Sequence, residues 1–435
     1  MAGIGFELKK IIDKDNIFAQ ARVYFMSSLI TVGPMIICIT LFLVMQRLLK
    51  NLGASYANIQ IFNAVIIYSF LISYISSNGI SMLMSRYISD CIYAKKSGCI
   101  FESFLGVSII CSIISTIIMS LLLINSPLNL IIKSICFMIT IILSSLAGYI
   151  FIAISFMVLL YKVFGIKDLR LSNCLKFVCS IDKYYELLLI GLFLSLGAYF
   201  PNILIWLTPN ANLVEETFRI ASFYDVPSFY AFLSVIPSVV IFTVKIETAI
   251  YPKYKDFYNF VRESGSINEI RRAKKNLIDT IILHMTHMIK VQFIASFACI
   301  VFGFKMLPNI GFTSDSLEIF GILTLGAISY ISMSFLILML LYFDARKDAL
   351  QVSLVFFITI VLFSIITVII GQEYYGYGFF ISSLISVVFA FNRINNFFRI
   401  IEYRTFASQP VFQIDKKGFF SRIYNFFNKE NNKEV

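Results

Sequence analysis

Along this chain, short polar clusters alternate with apolar stretches of twenty or more residues. Ten such stretches stand out, at approximately 22–48, 59–83, 103–124, 130–161, 185–207, 221–250, 277–304, 316–341, 350–370 and 378–400. Each matches the roughly 20 residues a helix needs to cross a hydrocarbon layer about 30 Å thick. A period-two alternation of polar and apolar residues, the mark of a membrane barrel, is absent. The expected fold class is therefore an all-α polytopic membrane protein with about ten transmembrane helices, twelve being the alternative count, in two bundles around a central cavity. The longest polar connection between spans suggests the division. Residues 1–250 read as an N-terminal amphipathic segment and six-helix lobe, 251–276 as a basic cytoplasmic linker, 277–401 as a C-terminal helical lobe, and 402–435 as a basic amphipathic cytoplasmic tail. No internal sequence repeat accompanies this division.

Composition supports lipid as the solvent. Apolar residues make up 59% of the chain and charged residues 14%, too few charges to cover a soluble protein of this size. The net charge of +11 points to cytoplasmic loops facing anionic lipid rather than to nucleic acid. With the N-terminus placed inside, 29 of the 36 Lys and Arg fall in cytoplasmic segments and five outside. That asymmetry satisfies the positive-inside rule and puts both termini in the cytoplasm. Charges from Glu7 to Asp15 leave no cleavable h-region, so Met1 is expected to be kept. The eight Cys lie scattered, without metal-ligand spacing, so no metal and no cofactor is expected.

Ionisable residues within spans are the best pointers to function, because each costs roughly 2.5–3.5 kcal/mol at a helix centre unless it faces a partner or a water-filled cavity. In the seventh span, Val291 to Phe304 covers only about 21 Å of helix. The span must therefore begin near Met285, which draws Lys290 and Gln292 inside and brings His284 and His287 to the inner boundary. Thr280, His284, His287 and Lys290 share one helix face. They read as a basic strip along a translocation path, as interfacial histidines below a snorkelling lysine, or, more remotely, as a metal or catalytic histidine pair. The sixth span carries Asp225, Pro227, Pro237, Lys245 and Glu247. Its prolines predict a kinked helix suited to gating. Lys245 and Glu247 point to different sides, so each needs its own partner, either a structural one or one belonging to a switch.

Toward the outside, Trp206 and the run Tyr374, Tyr375 and Tyr377 read as an interfacial aromatic belt or as a sugar-stacking platform at an exit. Toward the inside, Arg86 and Asp90 are spaced to pair on one helix face. Amphipathic segments at Ile4 to Phe18 and at Phe419 to Phe427 should lie on the inner membrane face, the tail being an alternative dock for a cytosolic partner.

The opening Met1-Ala2-Gly3-Ile4-Gly5-Phe6-Glu7-Leu8-Lys9-Lys10 resembles the start of PelG proteins, exopolysaccharide transporters of the multidrug/oligosaccharidyl-lipid/polysaccharide exporter superfamily. Arg86-Tyr87-Ile88-Ser89-Asp90 resembles that family's Arg-Tyr-x-Ser-Asp stretch. Tyr224-Asp225-Val226-Pro227, followed by Lys245-Ile246-Glu247-Thr248, resembles its sixth-helix region, with Lys245 where the family has Arg. The resemblance implies export of a growing, aminosugar-rich polysaccharide (Pel) for a biofilm matrix across the bacterial cytoplasmic (inner) membrane, by alternation between inward- and outward-facing lobes or through a conduit. It also implies a cytosolic glycosyltransferase and small membrane proteins of the same pathway as partners, besides the lipid bilayer and the polysaccharide itself. Superfamily members usually have twelve spans, against the ten read here.

Two other functions compete. A cation or drug antiporter would use intramembrane carboxylates for coupling, and few are available at mid-membrane. An integral membrane transferase would need a catalytic constellation on a sizeable loop, whereas 251–276 offers mainly Lys and Arg. The expectation is a transporter and not an enzyme.

Overall fold

The computed structural model describes residues 17–95, 99–145, 174–263, 265–406, 418–422 and 424. The helices in chain order are α1 (Ile17–Thr31), α2 (Gly33–Asn51), α3 (Tyr56–Tyr93), α4 (Cys99–Leu123), α5 (Leu130–Ser145) and α6 (Ile181–Trp206). After a short hairpin of β1 (Asn212–Val214) and β2 (Phe218–Ile220) come α7 (Ser222–Leu233), α8 (Ile236–Lys245), a π-helical turn (Ile246–Ile250) and α9 (Tyr251–Arg262). The chain continues with α10 (Ile267–Met306), α11 (Ser314–Tyr342), α12 (Arg346–Ile370) and α13 (Tyr377–Phe406).

Among the described residues, eight helical stretches are long and apolar enough to cross a membrane, and nine if the pair Arg22–Thr31 and Met35–Asn51, bent by 55°, forms one broken span. These nine correspond to nine of the ten apolar runs. The tenth, 130–161, begins with the apolar helix α5, and its residues from 146 onward lie outside the described residues, as does most of the N-terminal amphipathic segment. The fold is all-α and polytopic.

Helix boundaries follow local chemistry. Ser55 caps α3, its hydroxyl accepting the Asn58 N–H at 3.3 Å. Ser266 and Glu269 form a reciprocal capping box at the start of α10, satisfying donors the first turn would otherwise orphan.

The chain divides into two compact units, neither contiguous in sequence. One comprises Met1–Thr40, Phe223–Met339 and Ile366–Arg399; the other comprises Leu41–Ser222, Leu340–Ile365 and Ile400–Val435. In the first, α8 packs on α10, Phe242 stacks on Phe335 at 4.1 Å, and Phe232, Tyr330 and Phe379 form an aromatic cluster.

In the second unit, α3 and α6 approach so closely that a Cβ on Gly191 would lie 2.6 Å from the Gly79 Cα. Asn78 adds a hydrogen bond to the Gly191 carbonyl at 3.0 Å. Lipid supplies little hydrophobic drive between helices, so close backbone packing and interhelical hydrogen bonds must hold them. Ser69 with Thr140 (2.9 Å) and Ser76 with Ser115 (2.8 Å) tie α3 to α5 and α4 in the same way. The β1–β2 hairpin buries Val214, Phe218 and Ile220 against Ile61, Val65 and Leu123.

Candidate functional site

Two groups of polar side chains stand out at the helices, one in each unit. In the first unit the sixth span, Ser222–Arg262, departs from regular α-helix at two places. Asp225 lies in the first turn of α7, where a carboxylate suits the helix dipole, and Pro227 is buried in the next turn. Pro237 opens α8 after the chain turns at Ser234 and Val235. The Ser238 N–H goes to the Val235 carbonyl at 3.2 Å rather than reaching back to Ser234. Gln292 of α10, 1% exposed, repairs this break. Its Nε2 donates to the Ser234 carbonyl at 3.2 Å and to Ser296 Oγ at 2.7 Å, and its Oε1 accepts from Ser238 Oγ.

The second break is the π turn that follows Lys245 and contains Glu247. Pro252, early in α9, has no N–H to return to Thr248, and a π turn absorbs such a mismatch in an otherwise continuous helix. Glu247 is half-buried, and its Oε2 has no hydrogen-bond partner among the described residues. No ion pair joins Lys245 to Glu247.

The α10 stripe is less enclosed. The buried face of this helix runs through Ile281, Met285, Met288 and Gln292. His284 is half-buried, whereas His287 and Lys290 are exposed. His284 lies within electrostatic reach of Lys245 and His287, so these three bases share a neighbourhood. No group of three His, Cys, Asp or Glu able to hold a metal occurs among the described residues.

In the second unit, Arg86 and Asp90 do pair, at 3.5 Å, but within a larger network that sequence spacing did not reveal. Its hub is Tyr184, 3% exposed, whose non-helical backbone (φ −129°, ψ 31°) bends the start of α6. The Tyr184 hydroxyl donates to Asp90 Oδ2 at 2.6 Å. The Arg86 and Arg346 guanidinium groups lie 5.6 and 4.9 Å from its ring centre, in cation–π range. Arg346 also donates to the Lys183 carbonyl at 3.1 Å and lies at ion-pair distance from Asp344 (3.2 Å) and Glu186 (3.8 Å).

Asp344 ends α11 in the left-handed region at φ 57°. The Ala345 N–H bonds the Leu340 carbonyl and the Asp344 N–H bonds the Leu341 carbonyl, a helix ending that ordinarily takes Gly. A carboxylate at this strained position serves the arginines: Asp344 lies 3.2 Å from Arg346 and 4.0 Å from Arg86. One turn on, Asp348 of α12 binds Arg404 of α13 at 2.6 Å.

The aromatic candidates separate. Trp206 is 5% exposed and stacks on Tyr68 at 4.6 Å. Its ring is occupied in packing, and Tyr68 also accepts the Arg219 N–H and donates to the Arg219 carbonyl. Tyr375 is buried against Phe223. Tyr374 and Tyr377 expose 46% and 40% of their surface with ring centres 6.1 Å apart, and are the pair whose faces stay open.

Residues 418–422 of the tail are anchored. Asp182, in the first turn of α6, accepts the N–H groups of Phe420 and Ser421 at 3.2 and 2.8 Å and the Ser421 hydroxyl at 2.6 Å.

No curated protein and no solved structure matches the chain. A family profile does match, over residues 1–147 and 139–406, which together take in nearly the whole sequence. With its many membrane-spanning helices, the chain belongs to PelG, the exopolysaccharide exporter (EPS-E) family.

Proposed function

We propose that this protein exports a growing, aminosugar-rich exopolysaccharide of the Pel type across the bacterial cytoplasmic membrane, for a biofilm matrix. The observation that carries the reading is the family match across both halves of the chain, on a fold with enough spans to build a membrane path. Both termini, the Tyr184 network and the α9–α10 connection face the cytoplasm in this reading, following the distribution of Lys and Arg. A cytosolic glycosyltransferase and small membrane proteins supply and steady the polymer. The doubly broken α7–α9 helix supports a moving element: a proline break and a π turn are places where a helix bends at low cost. Glu247, a half-buried carboxylate in that turn, suits contact with a partly deacetylated, cationic polymer better than the bases of α10 do.

The test is secreted hexosamine polymer, measured beside a membrane-abundance blot, in cells with and without this chain while the rest of the pathway is intact. Loss of extracellular polymer, restored by the wild-type gene, is the expected result. Unchanged secretion would refute the reading.

A further inference from the structure

The hairpin formed by α9 and the start of α10 is too long to be spent on the membrane. Helix α10 has 40 residues, about 60 Å, against roughly 30 Å of hydrocarbon and about 40–45 Å with both headgroup layers. The stretch Ser222–Arg262, which ends in α9, is equally long at 41 residues. With Met306 at one hydrocarbon edge, about 20 residues of α10 reach the other edge near His287. Residues 267–275 then stand roughly 10–25 Å beyond the headgroups.

That overhang is built as a rigid unit. Phe257 of α9 and Ile270, Ala273 and Leu277 of α10 are buried, and the capping box at Ser266 fixes the turn. Its outer surface is cationic: Lys253, Lys255, Arg262, Arg271, Arg272 and Lys275 are all exposed. Of the nearby carboxylates, Asp256 is exposed beside Lys255, Glu263 leans on Arg262 at 4.0 Å and Glu269 is committed to Ser266, which leaves the cations in excess. Two large apolar side chains are exposed at the tip, Phe260 (39%) and Ile267 (69%). An apolar centre within a charged rim is the anatomy of a protein interface. An anionic leaflet would attract the lower charges, Lys253, Lys255 and Lys275, but Arg262, Arg271 and Arg272 stand more than a Debye length of about 8–10 Å above its headgroups.

We infer that the α9–α10 tip is the docking surface for an acidic cytosolic protein, whose carboxylates meet Arg271, Arg272 and Lys275 around Phe260. This rests on the proposed orientation, which places the hairpin in the cytosol. Two measurements on the full chain in producing cells separate the claims. A K275C variant is exposed to a membrane-impermeant maleimide outside intact cells, with wild type as background; labelling from outside would overturn the orientation. A photo-crosslinking amino acid at Phe260 is then irradiated and its adduct identified by mass. The expected adduct is one protein with an acidic surface. Its affinity, measured with both proteins purified, should fall at least about tenfold with R271E/R272E/K275E, fall with rising salt, and recover when the partner's acidic residues are reversed to Lys. Lipid-only adducts, no adduct, or an affinity indifferent to charge reversal would each overturn the docking proposal, even with the maleimide result intact.

Discussion

Gln292 donates to the backbone carbonyl of Ser234 at 3.2 Å, from a different helix, at the point where Pro237 interrupts the sixth span. A carbonyl without a backbone donor inside a membrane protein is costly, and a buried amide is the least disruptive way to satisfy it. The same side chain serves Ser238 and Ser296, so one residue makes the break tolerable.

Replacing Gln292 with Leu keeps a side chain of similar length and removes these partners at once. Leaving buried polar groups unsatisfied costs about 1–3 kcal/mol. Thermal unfolding of purified Gln292→Leu in detergent should begin at lower temperature than wild type, and Ser238→Ala added to it should cost less than Ser238→Ala alone. Additive losses would show that Gln292 and Ser238 act separately.

The Glu186–Arg346 pair gives a second prediction. Glu186 has a side chain 9% exposed and Arg346 one 24% exposed. Removing one partner strands a buried charge, for which about 3–5 kcal/mol is typical. Arg346→Met should therefore lower membrane abundance sharply, and Arg346→Met with Glu186→Leu should regain much of it. Asp344→Gly should act oppositely on stability, relieving the left-handed strain while loosening Arg86 and Arg346. An export defect in an Asp344→Gly protein of normal abundance would assign the network a role in transport.

How much of this was legible in the sequence depended on range. The spans were readable because hydropathy is local, and the broken sixth span because Pro237 breaks a helix wherever it falls. Arg86 with Asp90 was readable as neighbours one turn apart. Tyr184 joins Asp90 across 94 positions and Arg346 reaches the Lys183 carbonyl across 163, and no periodicity brings such residues together. Trp206 carries the pattern of a boundary aromatic, yet it stacks on Tyr68, which is held by a hairpin that turns through Glu215 and Glu216, both with left-handed backbone (φ 45° and 50°). That turn lacks the Asn-Gly signature that would have announced a hairpin. In the sequence Gln292 stands only as a polar companion of Lys290, because its partner is a backbone carbonyl that sequence does not display.

Close contact between α3 and α6 predicts sensitivity to one added methyl group. A Cβ at Gly79 would lie 2.7 Å from the Leu188 carbonyl oxygen, and one at Gly191 2.6 Å from the Gly79 Cα. These are backbone obstacles, so the helices must separate, and Asn78 would lose its bond to the Gly191 carbonyl. Gly191→Ala should reduce the yield of folded protein far more than Gly321→Ala, where the nearest atom is a Phe304 ring carbon at 3.5 Å. Equal yields would mean that the interface yields easily.

Anchoring of the tail can be tested through Asp182, which caps the short tail segment much as an N-cap residue would. Loss of such a cap costs about 0.5–2 kcal/mol. Asp182→Ala should speed tryptic cleavage at Arg422, read by mass spectrometry on purified protein. Gly418→Ala should do the same, because its added Cβ would sit 2.4 Å from the Asp182 carboxyl carbon. A cleavage rate unchanged in both variants would show that other contacts hold the tail.

Where the transport path runs can be tested through the polar residues of the first unit. Glu247 has an oxygen without a hydrogen-bond partner among the described residues, and Lys290 is exposed on α10. Neither makes an ion pair among the described residues whose loss would unfold the protein. Glu247→Gln removes the charge and keeps the shape; Lys290→Ala removes a charge from the α10 stripe. If the path runs along these residues, both variants should reach wild-type membrane abundance and secrete several-fold less hexosamine polymer, with Glu247→Gln the more severe for a cationic chain. Normal secretion from both would move the path away from the π turn and the α10 stripe, leaving the open faces of Tyr374 and Tyr377 as the next residues to change.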